Sequence, residues 1–192
     1  FPMHYIVEDI EFDFDDSQGT IDREEQQFIT ENAIGLWFVD SECGDPEDEL
    51  IEKISRTKKA ILLSTGMSTE AEILETIRVL EAQSSHYILM HCNGTYPPPL
   101  HDVNLHYIRR LQTISGRPVG YSGHERGINV AIAAVALGAV VIEKHYKINH
   151  KIKSPDSKFS ILPDQLKKLK ILSYRIHETL GKKITEKKVR RE

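Results

Sequence analysis

Two histidines, His124 and His145, each close a short apolar run. The first run is Gly-Tyr-Ser-Gly-His, residues 120–124, and the second is Val-Ile-Glu-Lys-His, residues 141–145. The Ala/Val-rich stretch between them reads as a helix. In a parallel α/β protein that arrangement brings both imidazoles to one rim of the sheet, where such folds place their chemistry. Two imidazoles with a carboxylate or water can hold a divalent ion and leave positions open for substrate. The same spacing also suits two hydrogen-bonded rim histidines with no metal. It is not a compact motif such as His-Glu-x-x-His, so both readings stand.

Other candidate groups follow short apolar runs in the same way. Ser64-Thr65-Gly66 and Ser122-Gly123 can present hydroxyls and backbone N–H groups to an anion such as phosphate, or serve as ordinary turns and caps. His91-Cys92 holds the elements of a Cys–His nucleophile, but adjacent strand residues point to opposite faces and pair poorly. Tyr96, in a loop ending in Pro97-Pro98-Pro99, can hydrogen-bond a polar ligand or pack within its loop. Asp156, in Ser-Pro-Asp, can meet a hydroxylated substrate, act as a base, or form a turn ahead of the last helix.

The elements that must position these groups alternate regularly. Apolar runs at Leu36–Val39, Ala60–Leu63, Tyr87–Met90, Pro118–Tyr121 and Ala139–Ile142 read as strands. Helical patterns fall at Asp45–Arg56, Glu70–Gln83, Asn104–Ile114, Ile128–Leu137 and Leu162–Leu180, with Thr69 as a cap and Gly181 as a stop. Ile128–Leu137 is nearly all apolar and is expected to be buried on most sides. Leu166, Leu169, Leu172 and Ile176 should form the inner face of the last helix. A further strand around Ile10–Phe12 and a helix over Asp22–Asn32 fit the N-terminal stretch. Short apolar strands separated by helices suit a parallel sheet covered on both faces. Polar residues expected just past successive strand ends favour a barrel over a doubly wound sheet. No Gly-x-Gly-x-x-Gly follows a strand. A complete barrel takes about 250 residues, so the expected fold is a partial or divergent (β/α)8 TIM barrel of about five to six βα units. Residues 1–34 are read as an acidic N-terminal segment with room for one βα unit, 35–182 as the barrel portion, and 183–192 as a basic tail.

Composition narrows the class. The chain has 192 residues, 40% hydrophobic, with a net charge of −4, enough apolar content for a packed core. Neither the acidic stretch near the start nor the basic tail interleaves bases with aromatics, which argues against nucleic-acid binding. Cys43 and Cys92 form no Cys-x-x-Cys pair, as expected in a reducing compartment. No apolar run approaches the roughly 20 residues that span a membrane. No signal-peptide pattern is visible, and a cytoplasmic location is expected. The first residue is Phe, which suggests a fragment or a processed chain.

In combination the motifs resemble the sialic acid synthase family, the N-acetylneuraminate synthases and related nonulosonate synthases. They are Leu63-Ser64-Thr65-Gly66-Met67, His91-Cys92 with Tyr96-Pro97, Asp102-Val103-Asn104-Leu105, Gly120–Glu125, Ala134–Ala139, Ile142–His145 and Asp156. The resemblance implies a (β/α)8 barrel that condenses phosphoenolpyruvate with an N-acetylated amino sugar and releases phosphate. It implies a divalent metal, Mn2+ or Mg2+, held at His124 and His145, with these two and Asp156 as the catalytic set. Ser64 and Ser122 match residues around the phosphoenolpyruvate phosphate or carboxylate, and Tyr96 and Asp156 match residues that contact the sugar. Homo-oligomeric assembly is expected.

The chain departs from the family pattern in places. Many members have Ser-Asp-His where this chain has Ser122-Gly123-His124, although others share Ser-Gly-His-Glu. Gly94 stands where Asn or Ser is common. The family's phosphoenolpyruvate-binding lysine either aligns with Asp40 or is lost with a strand deleted before Lys58, and it is missing in both alignments. The family's first strand, with its Glu and Asn-His-x-Gly pattern, and its C-terminal antifreeze-like domain are not found. An inactive sugar- or metal-binding remnant of the family is therefore the alternative expectation. A barrel condensing a sugar phosphate is a third, and it would need a basic clamp that the sequence does not offer.

Overall fold

The computed structural model describes residues 51–181 and the backbone of residues 48–50 and of two further strands, His4–Glu8 (β1) and Trp37–Val39 (β2). From there the chain runs α1 (Asp48–Arg56), β3 (Ile61–Ser64), α2 (Glu70–Ala82), β4 (Tyr87–His91), α3 (Tyr107–Ser115), β5 (Val119–Gly123), α4 (Asn129–Ala136), β6 (Val141–His145) and α5 (Pro163–Leu180). The strand expected at Ile10–Phe12, the helix at Asp22–Asn32, the position of Asp40 and the basic tail lie outside the described residues.

All strand pairings are parallel, in the order β1-β6-β5-β4-β3-β2. Consecutive strands from β2 to β6 are neighbours, and the first strand returns beside the last. A doubly wound sheet instead reverses its order at an internal switch point. The observed order is the cyclic order of a barrel opened between β1 and β2, so a partial (β/α)8 barrel describes the arrangement.

The two faces of the sheet have different partners because successive strand residues alternate between them. Ile61, Leu63, Leu89, Val119, Tyr121 and Ile142 pack against helix residues such as Ile73, Leu80, Ile108, Leu111 and Ala134 in the main core. Leu62, Met90 and Val141 form a smaller cluster on the other face. Gly120 belongs to that inner face: a Cβ there would lie 2.2 Å from Met90 Sδ and 3.0 Å from Val141 Cβ. By the same alternation Ser64, Ser122, Glu143 and His145 are inner-face residues.

The strands run further than hydropathy suggests. Ser64, His91, Ser122, Gly123 and Glu143–His145 are expected past the strand ends, but all lie inside β3–β6. Their backbones satisfy the ladder, and ladder pairing does not depend on side-chain polarity. Helix α3 starts at Tyr107 rather than Asn104, because Asn104 has φ of 46° and cannot continue a right-handed helix. Helix α4 is less enclosed than its composition implies. Ala131, Ala134 and Val135 are buried, while Ala133 and Ala136 face outward. Small side chains allow close packing on one side and little penalty on the other. On α5, Leu169 and Ser173 are the buried positions, with Leu166 and Ile176 partly buried against the core. Among the described residues, no helix is long and apolar enough to cross a membrane.

Thr69 caps α2 as expected. Its hydroxyl accepts the Glu72 N–H, and the Glu72 carboxylate accepts the Thr69 N–H at 2.6 Å, a reciprocal capping box. Replacing Thr69 with Ala should lower the unfolding free energy by about 1 kcal/mol. Urea denaturation measures this, and an unchanged midpoint would show that the cap contributes nothing.

Candidate active site at the strand ends

The register sets which groups meet at the rim. In the β5–β6 ladder Ser122 pairs with Glu143 and Gly123 with Lys144, while β1 places Glu8 beside His145 in backbone register. The Ser122 hydroxyl donates to the Glu143 carboxylate, and both residues are buried. His145 continues the same face two residues on. His124 lies one residue beyond the end of β5, and its ring centroid is 5.2 Å from that of His145. The expectation that a parallel fold brings these two histidines together is borne out.

Two connecting segments build walls around the pair. From the loop after β4, Tyr96 stacks on His124 with centroids 3.9 Å apart and planes at 29°. From the segment after β6, Phe159 meets the His145 ring edge-on at 4.9 Å. Asp156, in a single 3₁₀ turn (Pro155–Lys158), brings its carboxylate to 3.9 Å from His145 Nδ1. The two histidines are 5% and 8% exposed, so this is a sheltered corner with an aromatic lining.

His124 Nδ1 is 3.1 Å from the Asn93 carbonyl oxygen, which can only accept, so a proton on Nδ1 satisfies this contact and in the neutral ring leaves Nε2 with the lone pair. A backbone carbonyl that orients a histidine in this way is a common support for a metal ligand. The Asn93 side chain braces the loop by donating to the Asp102 carbonyl at 3.0 Å and accepting the Thr95 N–H at 3.0 Å. The donor chemistry of His124 and His145 fits a divalent ion. Among the described residues no group of three or more His, Cys, Asp or Glu side chains surrounds a single point.

Of the sequence candidates, the structure brings together His124, His145, Tyr96 and Asp156, with Ser122 on the same face. Ser64 ends β3 on that face, two strands from Ser122. His91 turns the other way. Its Nε2 donates to the Val103 carbonyl at 2.7 Å, and its ring lies between Tyr107 and Tyr121. It does not pair with Cys92, as the alternation argument requires. Cys92 instead places its sulfur 3.6 Å from His124 Nδ1.

Three features escape the sequence reading. Phe159 is an unremarked aromatic in a polar segment. Glu143 stands inside the quoted strand motif, and period-two spacing from His145 was the available signal for it. The third is a buried cluster on the opposite face. Lys144 donates to both the carbonyl and the carboxylate of Glu125, at 2.9 Å for the latter, and the Tyr121 hydroxyl donates to the other carboxylate oxygen at 2.7 Å. Burial pulls the Lys144 ammonium below its ordinary value while Glu125 pulls it back up, and burial pushes the Tyr121 hydroxyl upward.

The fold and rim define a partial barrel with a two-histidine site. Residues 19–185 match the NeuB family, and the chain belongs to that family of sialic acid synthases. It is 41% identical over 154 residues to N,N'-diacetyllegionaminic acid synthase of Campylobacter jejuni, covering 78% of this chain and 46% of that protein. It is 31% identical over 145 residues to N-acetylneuraminate-9-phosphate synthase of Homo sapiens, covering 74% and 40%. The chain thus spans less than half the length of these curated relatives. Among solved structures, the N-acetylneuraminic acid synthetase of Leptospira borgpetersenii in complex with citrate is similar with a TM-score of 0.76. It is 30% identical, and the likeness covers 88% of this chain and 59% of that one. A DAHP synthase from Thermotoga maritima, 19% identical with a TM-score of 0.66, shares the fold.

Two predictions follow from the packing behind the rim. Gly123→Ala would place a Cβ 2.7 Å from both Glu125 Oε2 and Tyr121 Cε1. Both atoms are held, so the variant should lose about 1–3 kcal/mol of stability, read from its urea midpoint. His91 has its pKa lowered by burial, against hydrogen bonds that raise it. A folded value below the unfolded one means its contribution is complete above about pH 6.5 and is lost as pH falls through the folded value. Stability should therefore drop on acidification below about pH 6.5, and His91→Gln should flatten that drop in urea titrations run from about pH 8 to about pH 5. An equal drop in the variant assigns the dependence to other groups.

Proposed function

We propose that this chain is the catalytic barrel portion of a nonulosonate synthase that condenses phosphoenolpyruvate with an N-acetylated amino sugar and releases phosphate. The observation that carries the reading is the His124–His145 pair, sheltered by Tyr96 and Phe159 at the strand ends of a NeuB-family chain. In the reaction the methylene carbon of phosphoenolpyruvate forms a bond to the sugar carbonyl carbon, whose oxygen takes a proton. Water adds at the phosphate-bearing carbon and gives up its protons, and the bond from that carbon to the phosphate oxygen breaks to leave a keto group.

His124 and His145 would hold Mn2+ or Mg2+, which polarises the sugar carbonyl as a Lewis acid. The chain's own groups then divide the remaining tasks. Tyr96, 40% exposed and stacked on His124, offers a ring face and a hydroxyl to the sugar. Asp156 sits beside His145, where it can accept sugar hydroxyls. The Ser122 proton is directed at Glu143, so these two act as a unit, and the carboxylate can take a proton or hold the adding water. Ser64 at the end of β3 serves the phosphoenolpyruvate anion. Lys144 cannot stand in for the missing family lysine, because its ammonium is bound to Glu125 on the other face.

The assay is phosphate release by the intact protein from phosphoenolpyruvate, Mn2+ and N-acetylmannosamine or related amino sugars. His124→Ala and His145→Ala should each reduce kcat/KM by more than the about 10–100-fold typical of an outer-shell partner. Sugar or Mn2+ binding with no phosphate release would replace this reading with that of a binding remnant.

A further inference from the structure

The hydrogen-bond ladder between β5 and β6 stops at Gly123 and Lys144. Each histidine of the candidate site follows directly after one of these two residues. Nothing in the ladder joins His124 to His145, yet their spacing decides whether one ion or one substrate oxygen can meet both. Beyond the ladder's end, a side chain of one strand reaches the chain that continues the other. Lys144 donates its ammonium protons to the Glu125 backbone carbonyl and to the Glu125 carboxylate. It therefore grips the residue after His124 from the residue before His145.

The grip is enclosed on all sides. The side chains of Lys144 and Glu125 are 2% and 1% exposed. The second carboxylate oxygen accepts the Tyr121 hydroxyl, so the carboxylate is anchored at both oxygens, once to each strand. The missing side chain at Gly123 makes room for it, since a Cβ there would meet both carboxylate oxygens at 3.0 Å or less. Because strand residues alternate, this cluster lies behind the rim and Lys144 does not enter the site.

We propose that the Glu125–Lys144 pair, completed by Tyr121, acts as the missing rung of the β5–β6 ladder and sets the separation of His124 and His145. Glu125 and Lys144 are positioning residues. The proposal rests on the reading of the two histidines as the metal and reaction centre. A buried ion pair often contributes little net stability compared with apolar residues of similar size, and its best-attested use is to select one arrangement. That distinction supplies the test.

Four forms of the intact protein are compared: wild type, Lys144→Met, Lys144→Arg and the double variant Glu125→Met with Lys144→Met. Three properties are read: the urea midpoint, Mn2+ affinity by titration calorimetry, and the side-chain 15N resonances of His124 and His145 in the metal-free protein. Lys144→Met should lose stability and bind Mn2+ at least about 10-fold more weakly. The double variant removes both charges and should recover most of the urea midpoint. It should still bind Mn2+ weakly and should keep shifted His124 and His145 resonances. Lys144→Arg should fall between wild type and Lys144→Met in affinity. Recovery of wild-type affinity and resonances by the double variant overturns the proposal and leaves the pair a packing element. So do unchanged resonances in a folded Lys144→Met variant. If wild type binds no Mn2+, the metal reading fails by itself, and the metal-free resonances still decide whether the pair sets the histidines.

Discussion

A carboxylate and an ammonium buried side by side cost several kcal/mol each in lost hydration, and only close, saturated geometry offsets that cost. Glu125 and Lys144 impose this requirement on the whole rim. Tyr121 must supply a hydroxyl and position 123 must leave a hole. The two strands must also hold a fixed register so that the ammonium reaches both oxygen acceptors. Once Lys144 is fixed outward by this pairing, alternation leaves its neighbours no choice. Glu143 and His145 must face the inner side, and Ser122 opposite Glu143 must face it too.

The same rule extends to β4. His91 is outward and bound to the Val103 carbonyl. That contact anchors the segment after β4, whose Asn93 carbonyl in turn orients His124. At this rim, polar residues directed toward the helices are held by hydrogen bonds. Among those directed inward or just past the strand ends, His124 and His145 come together. The division explains why strands so rich in polar residues at their ends can still lie in a parallel sheet covered on its outer side.

Much of this was legible in the sequence and some could not be. The apolar centres of β3–β6 and the helices between them stand out because burial on both faces leaves continuous apolar runs. Strand ends were misplaced at His91, Ser122 and Glu143–His145, since hydropathy reports what a side chain prefers and not what its backbone bonds to. The meeting of His124 and His145 was legible from their matching positions after two strands. The Tyr96 stack and the Phe159 wall were not, because loop conformation decides them and no periodicity constrains loops. Glu125–Lys144 was hidden for another reason. A charge in a motif reads as solvent-facing or catalytic unless its partner is known, and that partner lies 19 residues away.

The Ser122–Glu143 contact also bears on the role proposed for Ser122. The family resemblance places Ser122 beside the phosphoenolpyruvate anion, but its hydroxyl proton points at a carboxylate. A phosphate brought to that hydroxyl would come within about 4 Å of a second negative charge. At an effective dielectric of about 20 this costs about 4 kcal/mol, against about 1 kcal/mol in open water. A hydrogen bond from Ser122 to a charged group returns only about 1.5–3 kcal/mol, and its existing bond to Glu143 would be lost. The balance disfavours an anion at Ser122 while Glu143 is ionised. Within the proposed reaction this favours Ser64 for the anion and Ser122 as the group that orients Glu143.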